Sequence, residues 1–223
     1  MEALQTKQAM TEEEIHQAQQ QLGQQQTESQ EELAALLALL LLLAIQAGFT
    51  AAAAALILPA LVFPREQVER FVGSYSEKLA RQVMRTTGKE IAEVIRTAQA
   101  EGWAETKLRD EVRAVLNRAA KERAPKIGLT EAVRMTNIGA LFAYQQAGFQ
   151  FKRWAAVGDS RTCAFCMALD GTIIPVAEPF ARVGDVIAGP DGKELKVTYM
   201  DVISPPLHPN CRCVLLPANA SIS

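Results

Sequence analysis

Two short clusters of metal-binding side chains, separated by 41 residues, constrain the fold of this chain more than any other feature. The first is Cys163-Ala164-Phe165-Cys166 and the second is His208-Pro209-Asn210-Cys211-Arg212-Cys213. Two cysteines at this spacing share one tight turn, and both thiolates can bind a single ion at about 2.3 Å. Because thiolate and imidazole ligands favour zinc over magnesium or calcium, the two clusters predict one zinc site that joins distant segments.

Five candidate ligands compete for the four positions of a tetrahedral zinc site: Cys163, Cys166, His208, Cys211 and Cys213. Four protein ligands leave no position for an activated water, so we expect structural Zn²⁺. Spacing does not decide which residue is left out; we favour Cys163, Cys166, His208 and Cys211, with Cys213 as the spare. The alternatives are buried free thiols or a disulfide between the clusters. Zinc is favoured because two clusters at this spacing form a known zinc signature. The chain also begins without a secretory signal pattern, which indicates a reducing compartment where clustered cysteines more often bind metal than form disulfides.

A second feature is the run from Leu33 to Phe63, which contains no charged residue. Its length satisfies the criterion for a membrane span. Gln46 and Gly48 divide it, however, so it also fits two helices of roughly 15 residues packed as a buried hairpin. Hydropathy does not separate a span from a buried helix, and both interpretations stay open.

The remaining patterns predict mostly helices, followed by strands. Residues 1–32 are a Gln/Glu-rich tail, and Ser29 begins a capping box that predicts a helix start near Glu31. Residues 64–128 carry apolar side chains at helical spacing, with Gly88 and Gly102 as predicted helix ends.

Pro125 and Gly128 predict a break in the chain, and Thr130 is the predicted cap of a further helix. After Gly148 the sequence alternates, and the turn sequence at residues 189–192 predicts a β-hairpin. The predicted fold class is therefore α+β, with a mainly helical N-terminal two thirds and a small zinc-stapled, β-rich C-terminal module. The predicted boundaries are 1–32 (tail), 33–63 (apolar helix or hairpin), 64–128 (amphipathic helices), 129–217 (zinc-containing domain) and 218–223 (tail).

The distribution of charge bears on binding partners. Residues 1–32 contain seven acidic residues and one base, whereas residues 64–129 contain fourteen bases and ten acids. This excess permits contact with DNA, but a solvated helical surface is favoured because DNA-binding domains usually carry a denser basic face. One plausible ligand histidine and scattered carboxylates form no catalytic constellation, so we do not expect an enzyme.

The residues around the two clusters resemble a known family. The resemblance rests on Trp154, Asp159-Ser160-Arg161-Thr162-Cys163-Ala164-Phe165-Cys166, Leu169-Asp170-Gly171 and Pro205-Pro206-Leu207-His208-Pro209-Asn210-Cys211-Arg212-Cys213. In combination they resemble the Mu F-like minor head proteins of tailed bacteriophages, also called phage head morphogenesis proteins. The similarity covers roughly residues 129–217.

This resemblance implies a virion protein, assembled in the host cytoplasm, whose partners are the portal and other phage head proteins. It further implies a role in head morphogenesis and in DNA packaging or ejection. Residues 33–63 lie outside the resemblance, and their charge-free run motivates the separate hypothesis that this segment meets a membrane during ejection. Two other functions fit the residues less well. One is a membrane-anchored zinc module, and the other is a zinc-containing nuclease-like enzyme.

Overall fold

The computed structural model describes residues 12–58 and 60–219 and is about 59% helical. Four long helices come first: α1 (Glu12–Ala55), α2 (Arg65–Glu101), α3 (Glu105–Arg118) and α4 (Ala124–Gln146), with a π-helical turn at Ala119–Arg123 before α4. The C-terminal part contains β1 (Phe151–Ala155), α5 (Ala164–Leu169), β2 (Ile173–Pro175), β3 (Val186–Ala188), β4 (Glu194–Lys196) and β5 (Val214–Ala218). The α+β class and the order of helices before strands are confirmed.

Helix α1 is continuous, which corrects two predictions. It passes through Ser29, so the helix does not start near Glu31, and it passes through Gly48, so there is no hairpin within the apolar run. The reason lies in helix packing. A Cβ atom on Gly48 would lie 2.0 Å from the carbonyl oxygen of Thr136, and one on Gly139 would lie 2.0 Å from that of Ile45. The two glycines therefore allow α1 and α4 to cross backbone against backbone, and Gly48 does not end the helix.

The apolar run has two different faces. Leu41, Ile45 and Phe49 are buried against α2 and α4, whereas four leucines on the other face are exposed: Leu36, Leu39, Leu40 and Leu43. The segment Thr27–Ala55 is long and apolar enough to cross a membrane, although a core helix can meet the same criterion. Insertion in a membrane thus remains a hypothesis.

Three predicted helix boundaries are also wrong. α2 continues through Gly88, where a Cβ atom would meet open space and where the backbone stays helical. Pro125 lies in the first turn of α4, where a missing N–H costs no hydrogen bond, so the chain stays helical from residue 105 to 146. Thr130 lies inside α4 and donates its hydroxyl to the Lys126 carbonyl. The predicted end at Gly102 is confirmed, with a left-handed φ of 65°.

The C-terminal part contains two small antiparallel sheets. The first has the order β2-β1-β5, and the second is the hairpin β3-β4, which the turn at residues 189–192 joins as predicted. Trp154, on β1, is fully buried and meets the ring of Phe180 edge-on at 5.2 Å. The same core includes Cys166, Cys211 and Cys213, so the packing of the first sheet places both cysteine clusters together. Of the predicted tails, residues 1–11 and 220–223 lie outside the described residues.

Candidate metal centre

The first cluster is arranged by the start of α5. Cys163 is the N-cap of this helix, and its Sγ accepts a hydrogen bond from the backbone N–H of Cys166 at 3.3 Å. The first turn of the helix therefore brings the two sulfur atoms to one side, as the spacing predicted. Cys163 is partly exposed and Cys166 is 2% exposed.

The second cluster closes over the first. The Nε2 atom of His208 lies 2.8 Å from Sγ of Cys163 and 3.3 Å from Sγ of Cys166. Sγ of Cys211 lies 3.5 Å from Sγ of Cys166. Two sets of donor atoms lie within 4.8 Å of one another: Cys163, Cys166 and His208 form one, and Cys166, Cys211 and Cys213 form the other. All five predicted residues are thus brought together, and Cys166 belongs to both sets.

The orientation of His208 suits metal binding. Its Nδ1 lies 2.8 Å from the carbonyl oxygen of Pro209. Because a carbonyl oxygen only accepts, Nδ1 carries the proton and donates it, and Nε2 presents its lone pair to the sulfur atoms. This hydrogen bond orients the imidazole in the manner found for histidines that bind zinc.

The buried sulfur atoms influence one another's ionisation. Hydrogen bonds from Cys166 and Cys213 lower the pKa of the Cys211 thiol, and the hydrogen bond to Cys211 raises the pKa of the Cys166 thiol. One thiolate is therefore stabilised at the expense of its neighbour. A bound cation removes this competition because every thiolate then contacts positive charge.

The donor set fits a zinc ion. In a tetrahedral site with zinc–sulfur bonds of about 2.3 Å, neighbouring sulfur atoms are about 3.8 Å apart. The 3.5 Å between Cys166 and Cys211 is close to that value. The indole N–H of Trp154 is buried in the same core and interacts with the Cys213 thiol. The cluster can hold a metal, and its chemistry favours zinc.

An ion pair that we did not predict joins the two clusters. Arg212, between Cys211 and Cys213, donates from Nη2 to both carboxylate oxygens of Asp159, at 2.6 and 2.8 Å. Asp159 also accepts from the backbone N–H of Arg161, and the Arg212 side chain holds the pKa of Asp159 low, at about 2.

The Nη2 atom of Arg161 lies 3.7 Å from Oδ2 of Asp159, and Asp170 accepts from the backbone N–H of Ala156.

Helix α4 supports the second cluster through two further side chains. Asn137 accepts from the backbone N–H of Leu215 at 2.7 Å and donates to the carbonyl of Cys213 at 3.3 Å. Arg134 donates to the carbonyl of Pro206 and pairs with the buried carboxylate of Glu131. The contacts with Pro206, Cys213 and Leu215 join residues more than 70 positions apart. The sequence signal for these contacts is weak. It consists of two polar residues, Arg134 and Asn137, at positions of α4 where the apolar pattern predicts buried side chains.

Comparison with known proteins gives one family. The model of the family described as phage Mu protein F like protein matches residues 89–216. The matched segment begins inside α2 and ends in β5, so it contains the whole metal centre and α4. No curated protein and no solved structure matches the chain.

Proposed function

Because the chain belongs to the phage Mu protein F like family, we propose that this phage head protein of the virion is a minor capsid protein that acts in head morphogenesis at the portal. The observation that carries the proposal is the family match over residues 89–216, which includes both clusters and the helix that supports them. A role in DNA packaging or ejection belongs to the same proposal.

Within this function the metal centre has a structural role. Cys163, Cys166, His208 and Cys211 hold Zn²⁺, and Cys213 is the spare residue. Four protein ligands leave no position for a substrate or a reactive water, which distinguishes this site from that of a zinc-containing nuclease. The metal links α5 to the segment before β5. Strand pairing does not connect these two segments.

A membrane-anchored zinc module is the less favoured function. The backbone contact at Gly48 and Gly139 makes α1 part of the packed core, and insertion would separate it from α4. The exposed leucine face (Leu36, Leu39, Leu40 and Leu43) supports contact with an apolar surface during ejection. We retain that contact as part of the proposal.

Association with the portal can be measured directly. The purified full chain is expected to co-sediment with the portal protein of the same phage and not with its major capsid protein, because a protein present in few copies needs one specific attachment point. Equal sedimentation with both proteins, or with neither, would refute a position at the portal. The metal centre would be unaffected by that result.

The ligand set has its own test. The full chain is expected to contain about one zinc per molecule, as four protein ligands fill one tetrahedral site. Single alanine substitutions at Cys163, Cys166, His208 and Cys211 should each lower the zinc content, while Cys213→Ala should retain it. Atomic absorption of purified protein gives the values. Loss of zinc on Cys213→Ala together with retention in one other variant would name a different spare residue, and a folded chain without zinc would refute the site.

A further inference from the structure

Helix α2 carries a row of basic side chains along one exposed face. At about 100° per residue, six bases fall within one sector of roughly 100°: Arg70, Lys78, Arg81, Arg85, Lys89 and Arg96. All six are exposed. We refer to them as the basic stripe. With a rise of about 1.5 Å per residue, the stripe is about 39 Å long.

No acidic residue shares this sector. The other residues in it are Gln67, Ser74, Gly88, Ala92, Gln99 and, at its edge, Phe71. The acids of α2 lie outside the sector, and one of them, Glu90, pairs with Arg118 and Arg123. Residues 64–129 are therefore nearly balanced in total charge, although the charged residues in this sector of α2 are all basic.

Five of the six bases have no partner in the part of the chain that the structure describes. Within residues 12–58 and 60–219, Arg96 pairs with Glu93 at 2.7 Å, but Arg70, Lys78, Arg81, Arg85 and Lys89 take part in no ion pair or side-chain hydrogen bond. Arginine and lysine on solvated helices commonly pair with acids three or four positions away. Five cations on one face without such pairing form a linear field of positive charge.

We propose that the basic stripe binds the phosphate backbone of duplex DNA. A row of cations without apolar anchors is complementary to a linear polyanion, which it binds through charge without reading sequence. A membrane-surface helix would need an exposed apolar face beside the cations, and Ile95, 39% exposed, is the one large apolar side chain exposed on α2. Single-stranded nucleic acid is bound by stacking on aromatic rings, and the one ring in the sector, Phe71, stacks on Tyr75 in the core.

This proposal assigns DNA as a partner of the proposed phage head protein. It rests on that proposed function, because the phage head is where the protein would meet DNA. The opposite face of α2 packs against the rest of the fold, and Val68, Val72 and Tyr75 are buried there. DNA can therefore lie along the stripe while α1 and α4 stay packed. The metal centre, on the C-terminal module, contributes no residue to this surface.

The experiment measures binding of the full chain to a duplex of about 30 base pairs, in two unrelated sequences, between about 50 and 200 mM salt. The test variant is Arg81→Gln, Arg85→Gln and Lys89→Gln combined. The control variant, Arg109→Gln, Arg113→Gln and Lys196→Gln combined, changes the net charge equally away from the stripe. Glutamine preserves helix propensity at the five helical positions, and Lys196 is exposed on β4, so both variants should fold.

The wild-type protein is expected to bind both duplexes with similar affinity. This affinity should fall steeply as the salt concentration rises. The test variant should bind at least tenfold more weakly. Its slope of log affinity against log salt should be shallower by about 2.7, because each of the three removed charges neutralises one phosphate and each such phosphate adds about 0.9 to the slope. The control variant should behave like the wild type. Co-sedimentation of the test variant with the portal protein should be unchanged, which separates failure of this proposal from failure of the proposed function.

Three results would overturn the proposal. One is equal weakening of DNA binding in both variants. Another is binding to vesicles of phosphatidylglycerol and phosphatidylcholine in equal parts without binding to DNA. The third is salt-sensitive self-association without DNA binding. That result would mean that the basic stripe binds the acidic residues 1–32 of a second copy of the chain.

Discussion

Replacement of Cys166 by alanine is expected to abolish metal binding, whether the other ligands come from the first set of donor atoms or from the second. Cys166 is the one residue common to both sets of donor atoms, and its sulfur lies within 3.5 Å of both His208 Nε2 and Cys211 Sγ. Structural zinc contributes an apparent binding free energy of about 10–16 kcal/mol in zinc-finger peptides, and this energy becomes folding energy where the site forms only in the folded chain. The loss of zinc should therefore unfold the segment around the site.

The expected consequence is local. Backbone amides of residues 151–218 should lose most of their protection from hydrogen exchange. Those of α1, α2 and α4 should keep it, because buried residues such as Ile45, Val72 and Met135 pack these helices directly against one another. A strong chelator added to the wild-type protein should reproduce the pattern, and Cys213→Ala is the matched control. A Cys166→Ala protein that keeps one zinc per chain, or that keeps full protection after losing it, would contradict a structural metal centre.

Replacement of Gly139 by alanine is expected to destabilise the helical region by about 3 kcal/mol or more. The added methyl group would lie 2.0 Å from the carbonyl oxygen of Ile45 and 2.7 Å from the backbone nitrogen of Phe49. Both contacts are with main-chain atoms of a helix, which cannot rotate away as a side chain would. Relief requires separation of α1 from α4, and this exposes apolar side chains such as Ile45 and Met135.

Urea denaturation followed by circular dichroism measures the effect, with Gly88→Ala as the control. Gly88 also lies within a helix, but a Cβ atom there would meet nothing within 4 Å. Since alanine favours the helix over glycine, that variant should be more stable by about 0.5–1 kcal/mol. A Gly139→Ala protein as stable as the wild type would mean that the two helices do not cross in close backbone contact.

The comparison of Gly48, Gly88 and Gly102 shows what could be predicted of the helices. All three are glycines in segments of helical periodicity, and the sequence predicts that a helix divides or ends at each of them. Only Gly102 ends one. Gly48 permits a helix crossing and Gly88 lies on open surface. Local sequence cannot separate these roles, because each depends on which segment packs against the glycine.

The same distinction applies to the basic stripe. Composition revealed only a mild excess of bases in the middle of the chain. The six bases share one face because α2 continues through Gly88, and a helix that ended there would have divided them. Continuity of the helix thus determines the distribution of charge.

The sequence by itself determined the features whose chemistry is local. These are the pairing of Cys163 with Cys166 on one turn, the second cluster from His208 to Cys213, the hairpin turn at residues 189–192, the order of helices before strands, and the resemblance that the family match confirmed. Each depends on the identity and spacing of neighbouring residues.

Apart from the two clusters, whose meeting the metal-binding residues predicted, only the tertiary structure decided which distant groups meet. It paired Asp159 with Arg212, placed Asn137 against the backbone of Cys213 and Leu215, and set Gly48 beside α4. The physical reason is that a hydrogen bond, an ion pair or a close backbone contact depends on separations of a few ångströms. For residues far apart in the chain, those separations exist only once the helices and sheets have packed.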